Sequence, residues 1–455
     1  MGDYMVSKWE QARALVVQYD QEQLLHFYPQ LTAASQAKLV DSILKLDFNS
    51  INHMLNNRPS APDPVGDVSA IQAWDWDAFD RQEQEEFTLK GWELLRQGKV
   101  GALVVAGGQG SRLGHQGPKG TFDIGLPSHK SLFQLQAERL INLSKRAGFT
   151  IPWYVMTSPD NHEDTLRFFT ENHYFGYSQA DCFFFEQGVM PAIDERGKIL
   201  MAAEDEISLA PSGNGDCFAA MKRSGALDDL KKRGVEWLFY YNVDNVLIKV
   251  ADPVFIGVAA HFNNPVATKV IEKVEPEEKV GVVCLKNGHP AVVEYTELPG
   301  SLMFEQDELG RLKYRLANLS IQLFRVDFIE QHAQTEIPYH IAHKKIPFMN
   351  SQGVLTAPDQ PNAYKLERHH FDFFPLADDL TVLLMKRDAE FAPVKNKEGV
   401  DSPATARQML FELHRSWLLA AGVPSEKLAS REIEISPLVS YAGEGLDSDQ
   451  GDYNE

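Results

Sequence analysis

The chain has 455 residues, 44% of them hydrophobic and 24% charged, enough for two or three domains with large buried cores. Its 44 basic and 64 acidic residues give a net charge of -20, which excludes a broad basic face for nucleic acid and requires any phosphate ligand to meet locally concentrated positive charge. Cys182, Cys217 and Cys284 are widely spaced with no C-x-x-C, which excludes a zinc ribbon and argues against a disulfide framework. No apolar run reaches the length of a membrane span and the N-terminus lacks a signal-peptide pattern, so the expectation is a cytoplasmic protein that binds no membrane.

Residues 3–57 place apolar side chains at helical spacing, and "NNRPSAPDPVGD" (56–67) reads as a linker. An amphipathic helix over 81–98 leads to a strand at 101–106. Helices at 131–148, 162–172 and 217–234 then alternate with strands at 152–158, 180–188 and 235–245. Such alternation predicts βαβ units and an α/β fold with a Rossmann-like, mostly parallel central sheet. Past residue 265, short alternating runs at 266–274, 280–288 and 289–298 read as added antiparallel strands. The expected organisation is a helical region over 1–95, a central α/β domain over 96–385 and a small C-terminal domain over 386–455. The last residues, "EGLDSDQGDYNE", read as a frayed acidic end.

"LVVAGGQGSRLGHQGPKG" (103–120) joins the first strong strand to a loop with five glycines between Gly107 and Gly117. Glycines bring backbone N–H groups close to a phosphate or a base at the carboxyl edge of a parallel sheet. The dinucleotide fingerprint fails, because Leu113 stands where its third glycine belongs. The Walker A pattern fails too, because Lys119 is followed by Gly120. What remains is a loop that offers bare backbone, a guanidinium at Arg112 that can fork onto phosphate oxygens and a point charge at Lys119. Asp244 closes the apolar strand "WLFYYNVD", a place suited to holding Mg2+ between phosphates or to capping the next segment.

The loop resembles the L-x-x-G-G-x-G-T-R-L…P-K signature of nucleotidyltransferases that make nucleotide sugars, with Ser111 in place of Thr. "FFEQGVMPAI", "APSGNGD", "YYNVDNVLIKVADPVFIG", "VGVVCLKNG", "VVEYTEL", "KLERHHFDFF", "FAPVKN" and "ISPLVSYAGEGLDS" continue the likeness in one order over about 85–447. The chain is thereby identified as a member of the UDP-sugar pyrophosphorylase family, closest to its N-acetylhexosamine branch. The resemblance implies a nucleotide-diphospho-sugar transferase fold, with Mg2+ or Mn2+ as cofactor and UTP (or UDP-sugar) and a sugar 1-phosphate as partners. The expected reaction forms UDP-N-acetylglucosamine and pyrophosphate from UTP and N-acetylglucosamine 1-phosphate. GalNAc 1-phosphate, glucose 1-phosphate and a catalytically silent nucleotide binder are the alternatives.

Carried over by motif, Gly107 and Gly108 meet the uracil, Gln187 reads its edge and Gly213 contacts the nucleoside. Asn214, Gly281, Glu294, Tyr295, Asn318 and Phe371 line the sugar. Asp244 holds the metal, and Arg112, Lys119 and Lys395 are catalytic. Ser212, Asp216, Arg315 and Leu316 depart from the family pattern, the last two beside the expected sugar pocket. The chain ends soon after "SYAGEGLDS", where relatives continue, which leaves monomer or homodimer as the expected assembly.

Overall fold

A computed structural model describes residues 7–49, 51–52, 66–428 and 432–447. The expected linker, up to residue 65, and the acidic end from 448 lie outside the described residues. The chain divides into two compact units, the first comprising Met1–Pro64, Gln187–Asp216 and Glu336–His370, the second Val65–Glu186, Cys217–Thr335 and Phe371–Glu455. Each unit is thus assembled from several separate stretches of the chain.

In the first unit, helices Lys8–Gln18 and Ala33–Leu44 start at Ser7 and Thr32, whose side chains accept from backbone N–H groups of the first turn. Their apolar faces bury Ala12, Val16, Leu39 and Ile43 against Met190, Ile193, Ile199 and Leu366. The helical N-terminus is thus half of a core whose other half arrives from two later segments. Those segments supply short antiparallel ladders, Val189–Pro191 with Leu209–Pro211, and Ala363–Glu367 with both His340–Lys344 and Ile193–Asp194.

The second unit is built on strands β1 (Trp74–Asp75), β2 (Val100–Val105), β3 (Trp153–Thr157), β4 (Cys182–Glu186), β5 (Trp237–Asn242), β6 (Val266–Glu272), β7 (Val282–Lys286), β8 (His289–Val293), β9 (Leu316–Arg325) and β10 (Leu380–Leu384). The main path runs β1-β10-β6-β9-β5-β2-β3-β4. Every neighbouring pair on it is parallel except the two that β9 makes with β6 and β5. β2, β3 and β5 are nearly continuous apolar runs, as strands covered on both faces must be.

Two local expectations change. β6 is an inner strand of the main sheet, parallel to β10, and only β7 and β8 form an added hairpin, closed by Asn287 and Gly288 with φ of 53° and 81°. The single helix expected over 217–234 breaks into α3 and α4 below, because Gly225 takes a left-handed φ of 83°.

Helices α1 (Arg81–Arg96), α2 (Leu132–Ala147), α3 (Cys217–Ser224), α4 (Ala226–Lys232), α5 (Pro253–Phe262) and α6 (Pro403–Ala420) pack in this unit, as do His162–Glu171 and Val326–His332. α1 and α5 cross so closely that a Cβ on Gly91 would stand 1.7 Å from the Pro253 carbonyl oxygen, and one on Gly257 1.7 Å from that of Phe87. The C-terminal stretch belongs to the same body. Ala392, Val394, Ala406 and Leu410 share a cluster with Leu113, Leu132 and Val246. The buried Asn142 of α2 donates to the Pro437 carbonyl at 2.9 Å.

Candidate active site

β2 and β5 lie side by side in parallel register, with Asn242 paired to Val105, so the glycine loop and Asp244 leave the sheet from adjacent strand ends. The loop then folds on itself. Gly110 N–H donates to the Gly117 carbonyl at 2.9 Å and Lys119 N–H to the Gly108 carbonyl at 3.0 Å. Buried Asn161 ties down its start, donating through Nδ2 to the Ala106 carbonyl at 2.9 Å while its Oδ1 accepts from Ser158 N–H. Within this frame the glycines divide into two kinds. A Cβ on Gly108 would meet nothing within 4 Å, whereas one on Gly120 would stand 2.2 Å from the ring of Phe133. Gly120 is therefore a packing residue, and Gly108 presents bare backbone to solvent.

Folding the loop back delivers Lys119 to Asp244, with Nζ 2.8 Å from Oδ2 and both side chains mostly covered. Arg112 is exposed on the short turn Ser111–Leu113. Lys395 arrives from the far end of the sequence. Residues 390–394 run antiparallel to 244–246, with Val394 N–H on the Asp244 carbonyl at 3.0 Å and Val246 N–H on that of Ala392 at 3.0 Å. Asn245 staples the two together, donating to the Glu390 carbonyl at 2.7 Å and accepting from Ala392 N–H at 2.9 Å. Lys395 Nζ is 3.7 Å from Asp401 and remains partly exposed.

A charge cluster behind this segment anchors it. Lys269, fully buried in β6, reaches Asp252 Oδ2 at 2.6 Å and Glu390 Oε2 at 2.8 Å, and Lys249 reaches Glu390 Oε1 at 2.9 Å. Burial alone would push the Asp252 carboxyl up, but Lys269 and Lys249 overcome it and hold the pKa below the ordinary value. Burial likewise pushes Lys249 down, and Glu390 and Asp252 carry it above its usual value. Asn161, Asn245 and this cluster were not singled out from the sequence. The available signal was a lysine inside the otherwise apolar β6, since a buried lysine needs partners.

Three of the expected sugar residues gather at β7, β8 and β9. Asn318 N–H donates to the Gly281 carbonyl at 2.8 Å. Backbone at Gly281 passes so near Glu294 that a Cβ there would stand 3.1 Å from Oε1. Tyr295 is exposed beside Glu294, and Phe371 is buried. Two of the departures from the family pattern resolve separately. Arg315 is turned onto Glu272 at 2.7 Å, with Asp307 at 3.5 Å, and Leu316 is buried in the core.

Gln187, Gly213 and Asn214 lie in the first unit. Gln187 is buried. Ser212 Oγ donates to the Gly188 carbonyl at 2.9 Å, and Asp216 Oδ2 accepts from Gly188 N–H at 2.6 Å. The two departures from the family loop thus tie Gln187's neighbour to the Gly213–Asn214 turn. Gly213 has a φ of +90° and no room for a Cβ, which would stand 2.4 Å from the Arg368 carbonyl oxygen. Asn214 Oδ1 accepts from His370 N–H at 3.1 Å.

Comparison with known proteins places the whole chain among relatives of one kind. A diphosphorylase of Arabidopsis thaliana, UDP-N-acetylglucosamine diphosphorylase 2, is 38% identical over 94% of this chain and 89% of its own length. The UDP-N-acetylglucosamine pyrophosphorylase of Saccharomyces cerevisiae is 39% identical over 95% of this chain and 92% of its own. The crystal structure of the uridine diphosphate N-acetylglucosamine pyrophosphorylase of Trypanosoma brucei, solved with an inhibitor, superposes with a TM-score of 0.85 at 32% identity, covering 98% of this chain and 95% of that one. Residues 61–444 match the family described as UTP--glucose-1-phosphate uridylyltransferase, and the chain belongs to that family.

Proposed function

We propose that the protein transfers the uridylyl group of UTP to N-acetylglucosamine 1-phosphate, giving UDP-N-acetylglucosamine and pyrophosphate. The relatives of 38% and 39% identity carry that activity in their names. The observation that carries the reading is the Lys119–Asp244 pair beside the bare backbone of Gly108, a cation and a carboxylate at the carboxyl edge of a parallel sheet.

An oxygen of the sugar phosphate bonds to the α-phosphorus, the bond from that phosphorus to the bridging oxygen breaks, and pyrophosphate leaves with its electron pair. Such a displacement needs alignment and charge neutralisation rather than a protein nucleophile. Arg112 and Lys119 neutralise the leaving pyrophosphate, and Lys395 the α-phosphate. Gly107, Gly108, Gln187 and Gly213 hold the nucleoside. Asn214, Gly281, Glu294, Tyr295, Asn318 and Phe371 hold the sugar.

Asp244 would hold Mg2+ or Mn2+. The donor set fits an ion that comes with the phosphates, since among the described residues no three His, Cys, Asp or Glu gather into a cage. Bound there, the ion would supply further neutralisation of phosphate charge.

A second reading, glucose 1-phosphate as acceptor, is favoured by the description of the matched family. Pyrophosphate release from UTP against a panel of sugar 1-phosphates decides between them. Preference for N-acetylglucosamine 1-phosphate is expected, preference for glucose 1-phosphate supports the second reading, and no release with any sugar rejects both.

A further inference from the structure

β9 is irregular where it carries Asn318. Thr268 of β6 pairs with Gln322 and Val270 with Asn318, so three residues of β9 oppose Lys269 alone, and Ser320 takes a φ of +55°. Bulges of this kind re-aim side chains, and a non-glycine residue in the left-handed region is strain that its surroundings must hold in place.

The bulge fixes the polarity of the Asn318 amide. Ser320 N–H lies 3.1 Å from Asn318 Oδ1, and a backbone N–H can only donate, so the atom facing it is the amide oxygen. The same oxygen lies 3.1 Å from the amide of Gln322, which must therefore present its NH2 group. That group also lies 3.3 Å from Thr268 Oγ1. Gln322 is fully buried, and its Oε1 has no hydrogen-bond partner among the described residues. Turning the Gln322 amide over would bury an unpaired NH2 group instead and set oxygen against oxygen at Asn318.

We infer that Gln322 is a positioning residue for the sugar site: with Ser320 N–H it locks Asn318 so that the Asn318 NH2 group is the one presented to the sugar, as a donor to a hydroxyl or carbonyl oxygen. The inference rests on the proposed role of Asn318 as a sugar contact. It assigns a hydrogen-bond direction at that subsite and a function to a buried amide that touches no substrate.

The test measures KM for N-acetylglucosamine 1-phosphate and for UTP in Asn318→Ala, Gln322→Met and the double variant. Both single variants are expected to raise the sugar KM about tenfold, the scale of one lost hydrogen bond, with the UTP KM within about twofold. Because Gln322 acts through Asn318, Gln322→Met is expected to add nothing once Asn318 is alanine. An additive effect in the double variant, or an unchanged sugar KM in Gln322→Met, overturns the inference while leaving Asn318 a sugar contact. An unchanged sugar KM in Asn318→Ala overturns that contact and the inference together. Should Gln322→Met not fold, Asn318→Asp keeps the test decisive. It retains both accepted bonds but replaces the presented donor with an acceptor, and a wild-type sugar KM in it overturns the inference.

Discussion

Lys119 Nζ lies 2.8 Å from Asp244 Oδ2, although one residue ends a glycine loop and the other follows a strand far along the chain. Lys119→Ala is expected to lower kcat by about 100- to 1000-fold, the scale for removing one preorganised charge from a reacting phosphate. The melting temperature should move far less than for a core truncation. Steady-state pyrophosphate release and thermal unfolding of the same preparation check both halves, and unchanged turnover would remove Lys119 from the mechanism.

Gly108 and Gly120 make a matched pair of tests. Gly108→Ala places its methyl in open space, so stability should hold while the KM for UTP rises. Gly120→Ala drives a methyl into the ring of Phe133, with an expected loss of about 1–3 kcal/mol in urea unfolding. If Gly108→Ala leaves UTP binding untouched, its bare backbone does not face the nucleotide.

Glu390 bridges Lys249 and Lys269, and Asp252 is the other carboxylate that pairs with Lys269. Glu390→Gln leaves buried ammonium groups short of a counter-charge and should cost about 3–5 kcal/mol. Because residues 390–394 carry Lys395, kcat should fall in whatever fraction remains folded. A denaturant midpoint equal to the wild type would show that the cluster is not holding this segment.

Arg315 is held by Glu272 and Asp307. Arg315→Ala should therefore leave the order of preference among sugar 1-phosphates unchanged. A reordered panel would place the arginine at the pocket after all.

Stability should depend on pH through two buried histidines. Burial holds the pKa of His414 down to about 3, and Ile435 N–H donates to its Nδ1, which protonation would block. Burial, with His369 nearby, holds His370 at about 3 as well. In the unfolded chain a histidine titrates near 6.5. Between those values the unfolded state binds the proton and the folded state does not. Stability from these groups is thus complete above about pH 6.5 and is lost as pH falls toward 3, by about 1.4 kcal/mol per pH unit for each ring. Urea midpoints between pH 7 and 5 should fall, and less steeply in His414→Gln.

What could be read from the sequence was local. The run from 103 to 120 announced a strand, a turn and a loop of bare backbone because spacing and glycines act within a few residues. α2 was equally legible, with Ser131 capping its start and Gly148 ending it at a φ of 69°. What escaped depends on partners distant in the chain. Nothing near Lys269 states that Glu390 will meet it, and nothing near Arg315 states that Glu272 will turn it aside. The first unit escaped for the same reason, since the helices at 8–44 display an apolar face without saying which strands cover it.

The backbone bond from Val394 to Asp244 has a consequence for biosynthesis. A ribosome releases the glycine loop, Lys119 and Asp244 long before the segment that completes their surroundings. A nascent chain halted before residue 390 carries the residues of β2 and β5 yet lacks Lys395 and the strand-like strap that fixes it. The surroundings of Asp244 are therefore completed only late in translation, by the same segment that fills the core around Leu113, Leu132 and Val246.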